Sequence, residues 1–173
     1  SAMGIAVQDL GHYLDVVAKA QSSSNTSMEQ LLEAYVNVGG TLRNLNVDIE
    51  ESSTLLGILA NRGKKGAEAG TNFNSIIVNL IGANKSAKTA MDELGVSAWD
   101  SNGKFIGLTE TLKLLLDTLN DPSITDAQRN NFIAKIGGKT QMDTLQALLS
   151  GINEEYQDLY GVLNDCAGAS EDA

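Results

Sequence analysis

Proline, cysteine and aromatic residues are all scarce in this 173-residue sequence. It contains one proline, Pro122, against 17 glycines. Because proline interrupts helices, a chain with so little of it can form helix after helix, with its glycines mostly at helix ends or close contacts. Aromatic residues make up only 5%. Sandwich and barrel folds usually depend on aromatic and β-branched pairs, so we do not expect an all-β fold.

The single cysteine, Cys166, excludes an internal disulfide and a cysteine metal cluster, which fits a reducing compartment. No apolar run approaches the ~20 residues that span a bilayer. Residues 4–20 are amphipathic rather than uniformly apolar, so no signal peptide is visible. We expect residues 1–3 to be an expression remnant. Residues 4–173 are expected to form a single helical domain excised from a longer chain, with a possible division into two subdomains near residues 83–95.

Positive charge is in deficit, because 12 Lys and Arg residues face 22 Asp and Glu residues and the formal net charge is −10. Phosphate backbones and anionic membrane surfaces attract concentrated positive charge. We therefore expect no sequence-specific nucleic-acid binding and no membrane contact through this segment. The hydrophobic fraction of 42% is enough for a packed core, so the composition indicates an acidic folded domain.

Apolar residues recur at spacings of three and four along most of the sequence, which is the pattern of amphipathic helices. Capping boxes are predicted at residues 26–29 and 125–128, and Asp48 is a third helix-start signal. The last apolar stripe keeps its phase from residue 140 to residue 165, which would give a helix about 39 Å long if it is unbroken, although Gly151 and Gly161 could bend it. The predicted fold class is mainly α, a multi-helix globular domain of about seven helices.

Residues 96–106 depart from the helical pattern. They place β-type residues on both sides of an Asp-Ser-Asn-Gly turn, in which Asn102-Gly103 supplies the positive φ of a tight hairpin. We predict one small β-hairpin near residues 96–106. It must pack on helices, because an isolated hairpin is only marginally stable in water.

Two short motifs resemble ligand-binding loops but fail on spacing. Gly138-Lys139-Thr140 resembles the end of a phosphate-binding P-loop, but Ile133 stands where that pattern needs glycine, and a helix precedes it instead of a strand. Asp100-Ser101-Asn102-Gly103 resembles part of a calcium loop. Its first and twelfth ligand positions are Ala98 and Thr109, where carboxylates are needed.

Isolated reactive residues add no catalytic signature. His12 is the only histidine, and no cysteine or second histidine is positioned to share a metal ion with it. Cys166 has no activating base beside it. The adjacent carboxylates Glu154 and Glu155 point to different parts of a helix surface, whereas glycosidase carboxylates converge on one cleft. We predict no catalytic residue, no metal ligand, no cofactor and no enzymatic activity.

The order of several motifs resembles the core region of phage tail tape measure proteins. Residues 51–63, Glu-Ser-Ser-Thr-Leu-Leu-Gly-Ile-Leu-Ala-Asn-Arg-Gly, resemble the family's helix ending in Leu-Ala-Asn-x-Gly. Residues 66–71, Gly-Ala-Glu-Ala-Gly-Thr, are similar to the Gly-x-x-Ala-Gly-Thr element that opens its next helix. Residues 94–96, Leu-Gly-Val, and residues 100–104, Asp-Ser-Asn-Gly-Lys, are similar to a later element of the family.

Two further segments extend this resemblance to roughly residues 10 to 170. Residues 132–138 correspond to the family's phenylalanine-glycine segment, with Ile136-Gly137 where Phe-Gly is usual. Residues 167–170, Ala-Gly-Ala-Ser, match the close of the region.

The resemblance implies a structural component of a phage or prophage tail. Tape measure proteins are long, largely helical chains around which tail tube subunits polymerise. Their length sets the tail length, and they leave the tube ahead of the DNA. The chain would then act in tail assembly, tail-length determination and genome delivery, in the virion tail and in the host cytoplasm during assembly. Implied partners are tail tube, tail chaperone and distal tail or baseplate proteins, with possible self-association.

Two other function classes stay open at this point. A helical scaffold or adaptor module unrelated to phage is compatible with the composition. A cell-wall hydrolase, which some tape measure chains carry elsewhere, needs convergent carboxylates or a metal site. A lone histidine and the absence of such spacing disfavour the hydrolase.

The last apolar stripe is the candidate partner face. It is longer than any neighbouring helix of ten to fifteen residues, so we expect part of it to lack an intramolecular cover. The alternative is that the N-terminal helix, through Leu10, Leu14 and Val17, covers it completely. The candidate residues are Ile152, Tyr156, Leu159, Tyr160 and Leu163.

Overall fold

The structure is a computed structural model that describes residues 10–165. Helices dominate this part of the chain, which confirms the mainly α prediction. The number of helices differs from the prediction, with nine in the described residues instead of about seven. They are α1 (Leu10–Ser23), α2 (Met28–Asn44), α3 (Ile49–Asn61), α4 (Gly66–Leu80), α5 (Lys85–Leu94), α6 (Leu108–Leu119), α7 (Asp126–Gly137), α8 (Met142–Gly151) and α9 (Glu154–Asn164).

The C-terminal stripe does not form one unbroken helix, because the chain leaves the helical conformation between α8 and α9, directly after Gly151. Ile152 has ψ 61°, and Asn153 has φ −150° and ψ −138°. The Asn153 side-chain oxygen accepts a hydrogen bond from the backbone N–H of Glu155 at 3.0 Å, which caps the start of α9. The apolar stripe continues in the sequence across this break, so residue spacing alone did not reveal it.

The predicted β-hairpin is also wrong, since residues 10–165 contain no strand. Residues 96–106 form a turn with one isolated antiparallel bridge, between Trp99 and Phe105. Two backbone hydrogen bonds flank this bridge, from Asp100 N–H to Lys104 O at 2.8 Å and from Ile106 N–H to Ala98 O at 2.9 Å. Inside the turn, the Asp100 carboxylate accepts from two nearby backbone N–H groups instead of leaving them to a ladder. Only the tight turn at Gly103, with φ 76°, is as predicted.

Helix starts agree with the sequence signals to within one residue. Asp48 caps α3 by accepting from the Glu51 N–H at 2.8 Å, and the predicted capping box opens α7. At α2 the box lies one residue later than predicted. Ser27 is the N-cap, and its reciprocal partner is Gln30.

Among the described residues, the first compact unit comprises residues 10–71 and 153–165, and therefore contains α1, α2, α3, the start of α4 and α9. Its central element is α3, which packs against α1, α2 and α9. Residues 52–60 of α3 are buried on every side of the helix. Gly57 allows this packing, because a Cβ atom at that position would lie 2.8 Å from the Leu159 side chain of α9.

The second compact unit comprises residues 72–152 and contains the rest of α4 together with α5 to α8. Within it α7 packs against α5 and α8, and α8 also packs against α6. Gly137 lets α7 meet α8 closely, since a Cβ atom there would lie 2.8 Å from Met142 Cα. The core of this unit includes Phe73, Ile76, Ile77, Leu80, Leu108, Leu112, Leu115 and Leu119.

The two unit boundaries fall at residues 71/72 and 152/153. The single-domain organisation predicted for residues 4–173 stays a prediction. Several sequence-based expectations lie outside the described residues. These are the expression remnant at residues 1–3, the N-terminal helix before Leu10, Cys166, and the segment at residues 167–170.

Candidate functional site

The predicted partner face is largely buried in this structure. Ile152 is 4% exposed, Tyr156 and Leu159 are each 7% exposed, and Leu163 is fully buried. Tyr160 is half-buried. Ile152 belongs to the second unit, whereas the other four residues belong to the first. The accessible residue of the predicted face is therefore Tyr160, and binding of a partner there stays a prediction.

Helix α1 contributes to this burial, since it packs against α9 within the first unit. The α1 side chains that were predicted to cover the α9 stripe differ in their exposure. Val17 is fully buried, whereas Leu10 and Leu14 are 46% and 41% exposed. The cover over α9 is completed by α3.

Tyr160 lies between an aromatic neighbour and the acidic start of α3. Its ring stacks on the Tyr156 ring, with centroids 5.6 Å apart and an interplanar angle of 12°. Partial burial raises the pKa of Tyr160, and the carboxylates Asp48, Glu50 and Glu51 raise it further. The Tyr160 hydroxyl is therefore a neutral hydrogen-bonding group at physiological pH.

The α3–α4 junction, residues 59–71, contains the Leu-Ala-Asn-x-Gly and Gly-x-x-Ala-Gly-Thr motifs. At its start Arg62 makes a bidentate contact with Glu155 of α9. The Arg62 Nη1 and Nη2 atoms donate to Glu155 Oε2 and Oε1 at 2.8 and 2.7 Å. These hydrogen bonds hold the pKa of Glu155 below its ordinary value and raise the pKa of Arg62. Both side chains are only partly exposed, which makes the pair stronger than a typical surface pair.

Asn61 extends this contact to a third segment of the first unit. Its Nδ2 atom donates to Glu155 Oε2 at 3.2 Å. Its Oδ1 atom accepts from the backbone N–H of Asn25, in the loop between α1 and α2, at 2.9 Å. One amide side chain therefore joins the end of α3, the start of α9 and the α1–α2 loop.

The glycines of the junction allow a sharp turn and a close helix contact. Gly63 and Gly66 have φ of 80° and 75°, which side chains with a Cβ atom rarely adopt. Gly70 lies against α2, and a Cβ atom there would be 2.3 Å from the backbone oxygen of Ala34. Asn37 of α2 secures the contact by donating to Ala67 O at 2.8 Å and to Thr71 Oγ1 at 3.1 Å.

A buried polar cluster connects α2 with the start of α3. The Tyr35 hydroxyl hydrogen-bonds the Ser52 and Ser53 hydroxyls at 2.7 and 2.6 Å. Burial raises the pKa of Tyr35 well above its ordinary value. Nearby, His12 Nε2 of α1 contacts Glu50 Oε1 of α3. These polar side chains contact one another across helix boundaries. The cluster therefore connects α1, α2 and α3.

The residues considered for ligand chemistry are not assembled into a site. Lys139 lies in the turn between α7 and α8, after a helix, as the failed P-loop spacing indicated. From residue 10 to residue 165, no group of three or more His, Cys, Asp or Glu side chains is placed to hold a metal ion. Over the same residues, no helix has the length and apolar content needed to cross a membrane.

Comparison with known proteins decides the family. The family model for phage-related minor tail proteins matches residues 1–138. This chain belongs to that family. The phage tail protein is 28% identical over 171 residues to a tape measure protein of Pneumococcus phage Dp-1. It is 23% identical over 150 residues to a probable tape measure protein of Escherichia phage P2.

These alignments cover 99% and 87% of the phage tail protein, but it spans only 15% and 18% of the two relatives. No solved structure matches it. The predicted resemblance to tape measure proteins is confirmed by the family match and by both relatives. The α3–α4 junction lies within the matched residues.

Sequence reasoning located the junction motifs but missed their main tertiary partner. In the sequence, Arg62 is a cation near a helix C-terminus, and Glu155 is one of two adjacent carboxylates without a role. The pairing joins residues that are 93 positions apart. No spacing rule connects residues at that distance, so only the packing of α9 against α3 reveals it.

Proposed function

We propose that this phage tail protein is the core region of a tape measure protein and acts in tail assembly, tail-length determination and genome delivery. The observation that carries the proposal is the alignment of 99% of the chain with the tape measure protein of Pneumococcus phage Dp-1. Because the chain spans 15% of that relative, the length-setting role belongs to a longer protein. The described helices supply a folded part of it.

The partners we propose are the tail tube, the tail chaperone and the distal tail or baseplate proteins. The chain would act in the host cytoplasm during assembly and in the virion tail afterwards. The net charge of −10 supports passage ahead of DNA, because an acidic surface repels the phosphate backbone that follows it.

A structural role without catalysis fits the contacts of the α3–α4 junction. Its polar side chains bind one another, its glycines allow close helix packing, and α9 returns to α3 from the far end of the chain.

Complementation of a phage tail defect tests the proposal. A phage whose gene lacks the segment for residues 10–165 should form no complete tails, and a plasmid copy of the whole gene should restore them. A copy with Gly70→Leu, which cannot pack α4 on α2, should fail to restore tails. A copy with Gly161→Ala, where a Cβ atom has open space, should succeed. Electron microscopy of tails checks this, and complete infectious tails from the deletion would overturn the proposal.

A further inference from the structure

One face of α2 carries a stripe of residues that are exposed in the described part of the chain. The stripe consists of Glu29, Leu32, Val36, Gly40 and Arg43, at spacings of three, four, four and three. At about 100° per residue, these positions share a sector roughly 80° wide on the side opposite the buried face of the helix. Val36 lies at its centre and is 71% exposed.

The stripe is symmetric about Val36. Leu32 and Gly40 are each four residues from Val36, and Glu29 and Arg43 are each seven residues from it. A two-fold axis through Val36 would therefore place each Leu32 opposite Gly40 of a second helix, and each Glu29 opposite Arg43. Such matching of one surface with itself is the requirement for an isologous dimer.

We propose that a second copy of this chain docks on the α2 stripe in antiparallel orientation, with the two-fold axis at Val36. Gly40 has open space where a Cβ atom would be, so the Leu32 side chain of the other copy can lie over it. Among the described residues, neither Glu29 nor Arg43 forms an ion pair, which leaves both available across the interface. Antiparallel helices also align their macrodipoles favourably.

Opposite charges at the two ends of the stripe support a second copy as its occupant. Two chains that each carry a net charge of −10 repel one another, so association needs a surface where opposite charges meet. The stripe provides this at both ends, with a carboxylate at one and a guanidinium at the other. The apolar centre is small and one helix face is about 25 Å long, so the dimer should be weak, with a dissociation constant on the order of 100 μM.

Analytical ultracentrifugation of the 173-residue chain from about 10 to 500 μM tests the proposal. We expect a monomer–dimer equilibrium that Val36→Asp abolishes, because it places two like charges on the axis. Leu114→Asp is the matched control, since Leu114 is also exposed and lies in the second unit. It should leave the dissociation constant unchanged.

Exchanging the charges of Glu29 and Arg43 tests whether these two residues face each other across the interface. Glu29→Arg and Arg43→Glu should each weaken dimerisation about tenfold, because each sets like charges opposite one another. The double variant restores both pairs and should return the dissociation constant to within about threefold of the wild type. A wild-type chain that stays monomeric at 500 μM would overturn the proposal, as would single charge variants that dimerise like the wild type. Circular dichroism confirms that each variant remains folded.

Discussion

The Arg62 guanidinium binds both carboxylate oxygens of Glu155, which lies 93 residues further along the chain, at 2.8 and 2.7 Å. The contact joins the end of α3 to the start of α9 and so brings the two sequence segments of the first unit together. Arg62 occupies the variable position of the Leu-Ala-Asn-x-Gly motif, but Asn61, one of its fixed positions, also donates to Glu155 Oε2 at 3.2 Å. We infer that the motif serves the architecture of the first unit.

The bidentate pair should be measurable in a double-mutant cycle. We expect Arg62→Ala and Glu155→Ala to show a coupling free energy of about 1 kcal/mol in urea unfolding, because the two parallel hydrogen bonds are lost with either partner. Arg62→Lys keeps the charge but loses the fork geometry, so it should recover less than half of the coupling. Coupling near zero would show that the pair contributes nothing to stability.

Acid should reduce the contribution of Glu155 to the free energy of unfolding. Its pKa in the folded state lies below the ordinary value of 4.5, chiefly because of the Arg62 hydrogen bonds. The stabilisation is therefore fully present above about pH 4.5 and is lost as the pH falls through the lowered folded-state pKa. The difference in unfolding free energy between wild type and Glu155→Gln should shrink below pH 4.5. A difference between wild type and Glu155→Gln that stays constant to about pH 3 would contradict this.

Gly70→Ala should be strongly destabilising. The added Cβ atom would lie 2.3 Å from the Ala34 backbone oxygen, so α4 and α2 must move apart. We expect a loss of at least about 2 kcal/mol in unfolding free energy. Gly161→Ala is the control, because its Cβ atom meets nothing within 4 Å and helix propensity should add about 0.5 to 1 kcal/mol. Equal effects at the two positions would show that the close contact does not constrain the fold.

The buried Tyr35 hydroxyl should contribute more to the free energy of unfolding than an exposed hydroxyl would. Tyr35→Phe removes the group that hydrogen-bonds both Ser52 and Ser53 in a buried setting. We expect a loss of about 1 to 3 kcal/mol. Replacing Ser53 by alanine in the same protein should recover part of this loss, because the Ser53 hydroxyl loses its bond to Tyr35, whereas Ser52 still donates to Asp48 O at 3.0 Å. Thermal unfolding of the three proteins provides the measurement, and a neutral Tyr35→Phe would contradict the expectation.

Two substitutions on α9 separate core positions from the accessible one. Leu159→Ser should cost about 4 kcal/mol, since the side chain is 7% exposed and packs at Gly57. Tyr160→Ser should cost no more than about 1 kcal/mol, because that residue is half-buried. If Tyr160 contacts a tail partner, this variant should impair tail assembly while the isolated chain stays folded. Normal assembly with Tyr160→Ser would remove α9 as a partner site.

The local features of the fold could be predicted from the sequence more readily than the features that depend on distant residues. Spacings of three and four residues predicted helices, and hydroxyl and carboxylate caps located their starts, because these interactions form within one helical turn. The same reasoning failed at Asn153, where a stripe that remained in phase concealed a break. It also failed at residues 96–106, where the side chain of Asp100 satisfies backbone groups that a hairpin ladder would have used.

The candidate partner face shows how far a binding site can be predicted from sequence alone. The apolar residues of α9 were identified correctly as a stripe, but a stripe looks the same whether a neighbouring helix or a partner covers it. The packing of α1 and α3 against α9 decided this for Tyr156, Leu159 and Leu163. Exposure of Val36 on α2 was equally invisible, because the sequence places it among the apolar residues of the same helix.

The sequence by itself determined the helical class, most helix starts, the turn at Gly103 and the family, since these depend on local chemistry and on motif order. Only the tertiary structure decided that Arg62 pairs with Glu155, that Gly70 contacts Ala34, and which apolar side chains remain exposed. The physical reason is that burial and pairing depend on which helices become neighbours. Residues 93 positions apart meet through the packing of whole helices, and no local periodicity encodes that contact.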